Sequence, residues 1–323
     1  MRHAAEPYVP ARWAVAAVLT TCLLASAACG GSSKADQRHL PPPNSPATAT
    51  STTTAPPPPP ELPRGGRAVF PAYRLVGFAG APASPALGRL GVGSLEARVR
   101  EIERRAKPYA GNRRVQPVME LIATVVQGSP GADGKYRYRQ PDRVVKEYLT
   151  VARRHRAILL LGIQPGRAKF LDEVKHYEKW LREPDVGLAL DPEWAMGPGQ
   201  VPMRVFGHTT GPELNGVTAW VAALVARNDL PEKVVVFHQL AARIVRQEAA
   251  IKPRKGIALV KSVDGIGSRA MKEETWRNLT AALPKGVHPG FKLFFQEDAK
   301  IGALMTPAQV LALKPLPEYV LYE

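Results

Sequence analysis

The stretch that decides the fold is AILLLGIQPGRAKFLDEVKHYEKWLREPDVGLALDPEW, residues 157–194. It opens with an apolar run at 157–163, continues with a segment of helical periodicity at 170–181, and returns to an apolar run at 186–190. Strands that are apolar on both faces are typical of a parallel sheet covered by helices. The stretch therefore predicts one strand–helix–strand unit.

The same alternation recurs through residues 65–323. It predicts eight strands, at 74–79, 117–126, 157–163, 186–190, 234–238, 256–263, 291–296 and 319–322. It also predicts helices at 95–106, 144–154, 170–181, 215–227, 241–250 and 268–283, and a short last helix opened by Thr306-Pro307-Ala308-Gln309. Eight such repeats favour an α/β fold of the (β/α)8 barrel type over an open doubly wound sheet. The glycines after the first strand also lack the GxGxxG spacing of a dinucleotide-binding fold.

The first 28 residues predict a secretory signal peptide, with a basic start at Arg2 and Arg12 and a short apolar run at 14–25. That run is too short for a stable membrane anchor, which needs about 20 apolar residues. Small residues at 26–28, then Cys29 and a Gly/Ser stretch, resemble the lipobox of bacterial lipoproteins, although Ser26 replaces the usual leucine. The resemblance implies a lipid on Cys29 and an extracytoplasmic protein anchored to the cell membrane. A secreted protein cleaved near Ala28 is the alternative.

Composition divides the rest of the chain in two. Residues 29–64 predict a disordered linker, because 19 of the 20 residues from 41 to 60 are Pro, Ala, Thr or Ser. Residues 65–323 predict one folded domain, which keeps 39 Lys and Arg against 25 Asp and Glu, a formal charge of +14. Only two cysteines are present, which excludes a multi-disulfide scaffold and a four-thiolate zinc site.

The basic charge of the folded domain indicates which kinds of partner to expect. No nucleic-acid-binding motif accompanies it, and a secretion signal argues against a nucleic acid. The expected partners are the membrane, through the lipid on Cys29, and a cell-wall glycan or another anionic polymer of the envelope. A solvated basic surface without a specific ligand is the alternative, and we expect a monomer.

Polar side chains follow most of the predicted strands. The carboxyl ends of the strands hold the functional groups in barrels of this kind, so these residues are the candidate site. They are Gln164 after strand three; Asp191, Glu193 and Trp194 after strand four; His238 and Gln239 closing strand five; Lys261 and Asp264 at strand six; and Gln296, Glu297 and Asp298 at strand seven. Glu120 and Lys261 lie within their strands, so either side chain could point into the barrel and would then need a buried partner.

The segment Asp191-Pro192-Glu193-Trp194 is the strongest candidate for a catalytic role. Residues two apart on an extended chain project to the same face, and two carboxylates held close raise the proton affinity of one of them. A protonated acid beside an ionised one is the arrangement that protonates a glycosidic oxygen, and Trp194 could stack on a sugar ring.

On these residues the domain resembles the glycoside-hydrolase type of (β/α)8 barrel. The resemblance implies Glu193 as general acid and Asp191 as its assistant. Families with a nucleophile on strand seven would place that role on Glu297. Gln164, His238, Gln239, Lys261, Asp264, Gln296 and Asp298 would then bind or orient the sugar. The chitinase-like DxxDxDxE motif is absent, because Ala189 stands at its middle acid.

Other interpretations of the same residues stay open. Asp191, which is followed by Pro192, could simply cap the turn after its strand. His238 could be a histidine hydrogen-bonded at the barrel rim, and residues 296–298 could only begin a solvated loop. The barrel could bind a glycan or a lipid without chemistry, so whether the protein is an enzyme is undecided. A metal-dependent phosphodiesterase using Asp191, Glu193, His238 and Asp264 is a third hypothesis, but no HExxH spacing supports it. We expect no metal and no cofactor, and the sequence lacks the GxSxG of serine hydrolases.

Overall fold

Eight parallel strands pair in chain order and close into a barrel in the computed structural model, which describes residues 58–323. The barrel strands are β1 (Tyr73–Gly80), β2 (Arg114–Val126), β3 (Ile158–Ile163), β4 (Val186–Leu190), β5 (Lys233–Gln239), β6 (Ile257–Val263), β7 (His288–Leu293) and β8 (Tyr319–Tyr322). The barrel is closed because β1 pairs with both β2 and β8, so that Leu75 lies between Gln116 and Tyr319. The predicted (β/α)8 barrel is confirmed.

Helices lie between the strands. They are α1 (Leu95–Ala106), α2 (Asp142–Arg154), α3 (Phe170–His176), α4 (Glu178–Leu181), α5 (Gly211–Arg227), α6 (Arg269–Thr280), α7 (Glu297–Ile301) and α8 (Pro307–Leu311). The capping signal before the last helix is confirmed, because the Thr306 side chain accepts from the Gln309 backbone and the Gln309 side chain accepts from the Thr306 backbone. Within residues 58–323, no helix combines the length and the apolar character needed to cross a bilayer.

Two predicted elements are wrong. The predicted helix at 241–250 is instead a pair of short 3-10 turns around a two-residue strand, Val245–Arg246, which pairs with Thr209–Thr210. Gln247 adopts a left-handed conformation there, which no α-helix can contain. The predicted strand at 291–296 lies three residues too late, since β7 ends at Leu293 and Gln296 caps α7.

The alternation of side chains along the strands divides the core into two layers. Residues facing outward, such as Leu159, Leu161 and Phe237, pack against the helices in the larger hydrophobic cluster. Residues facing inward, such as Leu160 and Val236, form a smaller cluster that fills the barrel. Inward positions nearer the carboxyl ends of the strands are polar instead, and they form the candidate site described below.

The amino-terminal end of the barrel is filled by the chain that precedes β1. Leu62 and Val69 are buried in the inward-facing cluster, and the Tyr73 hydroxyl donates to the backbone carbonyls of Arg64 and Gly65 at 2.7 Å. Leu62 belongs to the segment that the composition places in the linker, yet it is part of the barrel core. The signal peptide, Cys29 and the remainder of the predicted linker lie outside the described residues, and the statements about them stay predictions.

Candidate functional site

A cluster of polar side chains occupies the carboxyl-terminal end of the barrel interior. Seven of the eight strands or the residues directly after them contribute to it. Its members are Glu120 from β2, Gln164 after β3, Asp191 and Glu193 after β4, His238 from β5, Ser262 and Asp264 from and after β6, Lys292 from β7, and Tyr319 and Glu323 from and after β8. We call this set the mouth cluster.

His238 lies at the centre of the mouth cluster and is completely buried. Its Nδ1 is 2.8 Å from Asp264 Oδ2, and its Nε2 is 3.2 Å from Glu120 Oε1. The same Nε2 is 3.9 Å from Asp191 Oδ1. The Tyr319 hydroxyl donates to the second oxygen of Glu120 at 2.7 Å. His238 therefore joins strands on opposite sides of the barrel through carboxylates.

Lys292 provides the second positive charge. Its Nζ lies 3.2 Å from Asp264 Oδ2 and 2.5 Å from Glu323 Oε2. The Ser262 hydroxyl donates to the other oxygen of Asp264 at 2.7 Å. Asp264 is thus held by a histidine, a lysine and a hydroxyl, which leaves little of its bonding capacity for a ligand.

The electrostatics favour the charged forms of these inner groups. Burial lowers the pKa of His238, but the charges of Asp264 and Glu120 outweigh it and hold that pKa well above the ordinary value. Burial raises the pKa of Asp264, but His238 and Lys292 outweigh it, so the pKa of Asp264 lies well below its ordinary value. The pKa of Glu120 is lowered in the same way, with burial opposed chiefly by His238. His238 is therefore an imidazolium between two carboxylates at neutral pH.

Asp191 lies further out and is less firmly held. Gln164 Nε2 donates to Asp191 Oδ2 at 3.0 Å, and the Gln164 oxygen accepts from the Val126 backbone N–H at 3.1 Å, which fixes the amide. Burial raises the pKa of Asp191 to about 6, against the charges of His238 and Lys292. Asp191 is consequently ionised at neutral pH and close to its point of protonation.

Glu193 differs from every other acid of the mouth cluster. It lies in a 3-10 turn, Pro192–Trp194, that directly follows β4, and burial with the charges of Asp191 and Asp264 raises its pKa to about 8. Its Oε2 has no hydrogen-bond partner among the described residues. Glu193 is therefore a protonated carboxylic acid at neutral pH, next to an ionised one, with an oxygen free for a ligand.

The chain after Glu193 folds back over the mouth. The Gly207 N–H donates to the Glu193 carbonyl at 2.7 Å, and the Trp194 and Phe206 rings meet edge to face with centroids 5.7 Å apart. Asp191 and Glu193 each keep 8% of their surface exposed, whereas His238 keeps none. Only Glu323, with 22% of its side chain exposed, is more accessible in the mouth cluster. A ligand would therefore meet the two outer acids before it meets His238.

The structure brings together five of the predicted site residues and separates the others. Gln164, Asp191, Glu193, His238 and Asp264 belong to the mouth cluster, and Trp194 adjoins it. Lys261 faces outward from β6, where its Nζ is 2.6 Å from Glu248 Oε1. Gln239 is buried on the outward face as well, with only long contacts to the carbonyls of the following loop.

The residues predicted at the end of strand seven lie in α7 or just before it, because β7 ends earlier. Gln296 is exposed, and Glu297 is half-buried in the first turn of α7 with no contact to the mouth cluster. Asp298 is fully buried, but it accepts from the backbone N–H groups of Gly267 and Phe294 and pairs with Lys272 at 2.9 Å. Asp298 therefore holds two loops together instead of facing a ligand.

Sequence reasoning missed four members of the mouth cluster: Ser262, Lys292, Tyr319 and Glu323. Period-two alternation would have placed Ser262 inward with Val260, and Lys292 inward with Gly290 once the true end of β7 was known. Tyr319 and Glu323 had no such signal, because β8 has only four residues.

Comparison with known proteins assigns no family. No protein-family model and no curated protein matches this chain. Among the described residues 58–323, no group of three or more His, Cys, Asp and Glu side chains is arranged to hold a metal ion.

Proposed function

We propose that this chain is a glycoside hydrolase of the cell envelope, with Glu193 as its general acid and Asp191 as the ionised partner. The observation that carries the proposal is Glu193 itself, a carboxyl with a pKa raised to about 8 and an oxygen without a partner at the mouth of the barrel. Two carboxyl groups whose environments push their pKa values apart are the usual arrangement for acid and base roles.

The proposed reaction moves one proton at a time. Glu193 gives its proton to the glycosidic oxygen, the bond from that oxygen to the anomeric carbon breaks, and the leaving sugar departs as an alcohol. The Asp191 carboxylate faces the positive charge that develops on the anomeric carbon. Water supplies the new oxygen on that carbon, and the proton that water releases returns to the carboxyl pair.

The inner part of the mouth cluster would act through Asp191. His238 and Lys292 both lower the pKa of Asp191 against the effect of burial, so their charges keep it ionised beside a protonated neighbour. Gln164 fixes one Asp191 oxygen by a hydrogen bond at 3.0 Å. We regard His238, Lys292 and Gln164 as positioning residues, and Trp194 as a surface on which a sugar ring can stack.

The substrate and location follow from the rest of the chain. The +14 charge of residues 65–323 favours an anionic polymer over a neutral one, since opposite charge raises the rate of encounter. The predicted signal peptide and lipidated Cys29 would hold the barrel outside the cytoplasmic membrane. We therefore propose an acidic glycan of the cell wall as the substrate.

A second function has one observation in its favour. Glu120 and Asp264 are held in ion pairs by His238 and Lys292, and every member of the mouth cluster except Glu323 is buried. Such an arrangement suits a barrel that binds a glycan without cleaving it. Binding of purified wall glycan with no release of reducing ends would identify this function, because cleavage creates one reducing end per bond.

The pH dependence of hydrolysis tests the proposal. The full-length protein is incubated with purified bacterial cell-wall glycan from pH 4 to 10, about two units beyond the pKa values of about 6 and about 8. Because Asp191 must be ionised and Glu193 protonated, kcat/KM is expected to fall below the first value and above the second. Reducing ends that never appear, or a rate that does not change over this range, would overturn the proposal.

A further inference from the structure

A group of arginines lines a cavity at the end of the barrel opposite the mouth cluster. The cavity has a volume of about 540 Å³ and is lined by Arg64, Glu103, Arg114, Val115, Arg154, His155 and Arg156. Arg114 begins β2 and Arg156 lies two residues before β3, so both lie at the amino-terminal ends of the strands. We call it the arginine pocket.

The positive charges of the arginine pocket exceed the carboxylates that face them. Arg154 pairs with Glu96 at 2.5 Å, and Arg64 approaches Glu103 at 3.5 Å. Arg156 donates through Nε to the Pro63 carbonyl at 2.8 Å. Within the described part of the chain, neither Arg114 nor Arg156 has a carboxylate within 4.0 Å.

Arg114 donates to the backbone carbonyl of Arg64 at 3.3 Å and also contacts an aromatic ring. Its guanidinium lies 4.4 Å from the centroid of Tyr73, which holds it in place without neutralising it. Burial lowers the pKa of Arg64, and the charge of Arg156 lowers it further against the charge of Glu103. Arg64 and Arg156 are therefore close enough to repel each other, and an anion placed between them would relieve that repulsion.

The backbone conformation of Arg156 also indicates that an anion binds between these arginines. Arg156 has a φ of 51° and follows the residue that caps α2. A left-handed residue after a helix end is usually glycine, because a side chain is strained there. A long basic side chain at a strained position, aimed at a cavity with other arginines, indicates that the side chain has a use.

We propose that the arginine pocket binds a phosphate group of an anionic ligand. Guanidinium groups match phosphate oxygens with two parallel hydrogen bonds, and a phosphate offers acceptors in several directions to several arginines at once. A cavity of about 540 Å³ holds a phosphate together with part of the molecule that carries it. The phosphate can come from a lipid headgroup, a phosphate polymer or the free ion. The inference does not depend on the proposed glycan hydrolysis.

The test measures binding of three phosphate probes to the full-length protein. The probes are inorganic phosphate by calorimetry, inorganic polyphosphate by fluorescence anisotropy, and phosphatidylglycerol vesicles against phosphatidylcholine vesicles by co-sedimentation. The test variant is Arg114→Gln with Arg156→Gln, and the control is Arg227→Gln with Arg277→Gln, which removes the same charge from two exposed helix positions. All the proteins share the same amino-terminal segment, so a difference between them belongs to the substituted arginines.

We expect at least one probe to bind the test variant tenfold or more weakly than the wild type and the control, and the probe affected identifies the source of the phosphate. No binding by any probe, or equal losses in the two double variants, would overturn the proposal.

A third variant, Arg156→Gly, separates an effect on binding from an effect on folding. It removes the side chain and relieves the left-handed strain, so it should weaken binding without lowering the melting temperature. Unchanged binding by Arg156→Gly would count against the pocket.

Discussion

Replacing His238 by phenylalanine is expected to lower the free energy of unfolding by about 3 to 5 kcal/mol. The reason is the charge that the variant leaves behind. Glu120 is 3% exposed, accepts a hydrogen bond from the Tyr319 hydroxyl and has His238 as its one ion-pair partner within 4.0 Å among the described residues. Without the imidazolium it is a buried carboxylate that keeps only the more distant charge of Lys292. Urea unfolding of the full-length wild type and variant at neutral pH measures the difference.

Two further variants show whether the loss comes from the charge. His176→Phe changes an exposed histidine on α3, and surface substitutions of that kind usually stay within about 0.5 kcal/mol. Adding Glu120→Gln to His238→Phe removes the unpaired carboxylate, so the double variant should regain part of the lost stability. A loss under about 1 kcal/mol for His238→Phe alone would mean that the histidine is not what holds the buried acids.

Glu193→Gln is expected to reduce the hydrolysis of wall glycan by about 100-fold or more, the usual contribution of a general acid. The amide keeps nearly the same shape but has no acidic proton to give to the glycosidic oxygen. Glu274→Gln is the matched control, because Glu274 is exposed on α6 and has no contact with the mouth cluster. Reducing ends released per minute at saturating glycan measure the effect. Equal rates for the two variants would remove Glu193 from the mechanism.

The same variant should be more stable than the wild type at neutral pH. The pKa of Glu193 rises from 4.5 in the unfolded chain to about 8 in the barrel, so between these values the folded state holds one proton more. Wild-type stability therefore falls as the pH rises through that window, which costs roughly 3 kcal/mol by pH 7. Glu193→Gln lacks this loss. The difference in the free energy of unfolding between the two proteins should therefore vanish below the unfolded pKa of 4.5. A stable but inactive variant would show that inactivity is not unfolding.

The order of the barrel strands could be predicted from the sequence because it depends on burial. Strands covered on both sides must be apolar throughout, and runs such as residues 157–163 and 234–238 carry that pattern without ambiguity. Counting eight runs then favours a closed barrel. The segment 241–250 misled the prediction because its alanines and charged residues suit a helix, whereas Ile244 and Val245 are buried in a loop that pairs with Thr209–Thr210.

The candidate site could be predicted only in part. Asp191, Glu193, His238 and Asp264 end or follow strands whose limits the apolar runs define well. Lys292 could not be found in the same way, because the apolar residues of PGFKLFF continue past the end of β7 and shift the apparent strand. The pairing of His238 with Glu120 depends on closure of the barrel, which brings distant strands together and leaves no mark on local sequence.

The state of the Glu193 carboxyl is the claim on which the proposed function rests. Full-length protein labelled with carbon-13 at the glutamate carboxyl carbons can be titrated by NMR, and comparison with Glu193→Gln assigns the resonance. We predict a midpoint of about 8, so that the carboxyl is still protonated at neutral pH. A midpoint near the ordinary glutamate value of 4.5 would contradict the account, because Glu193 would then have no proton to donate.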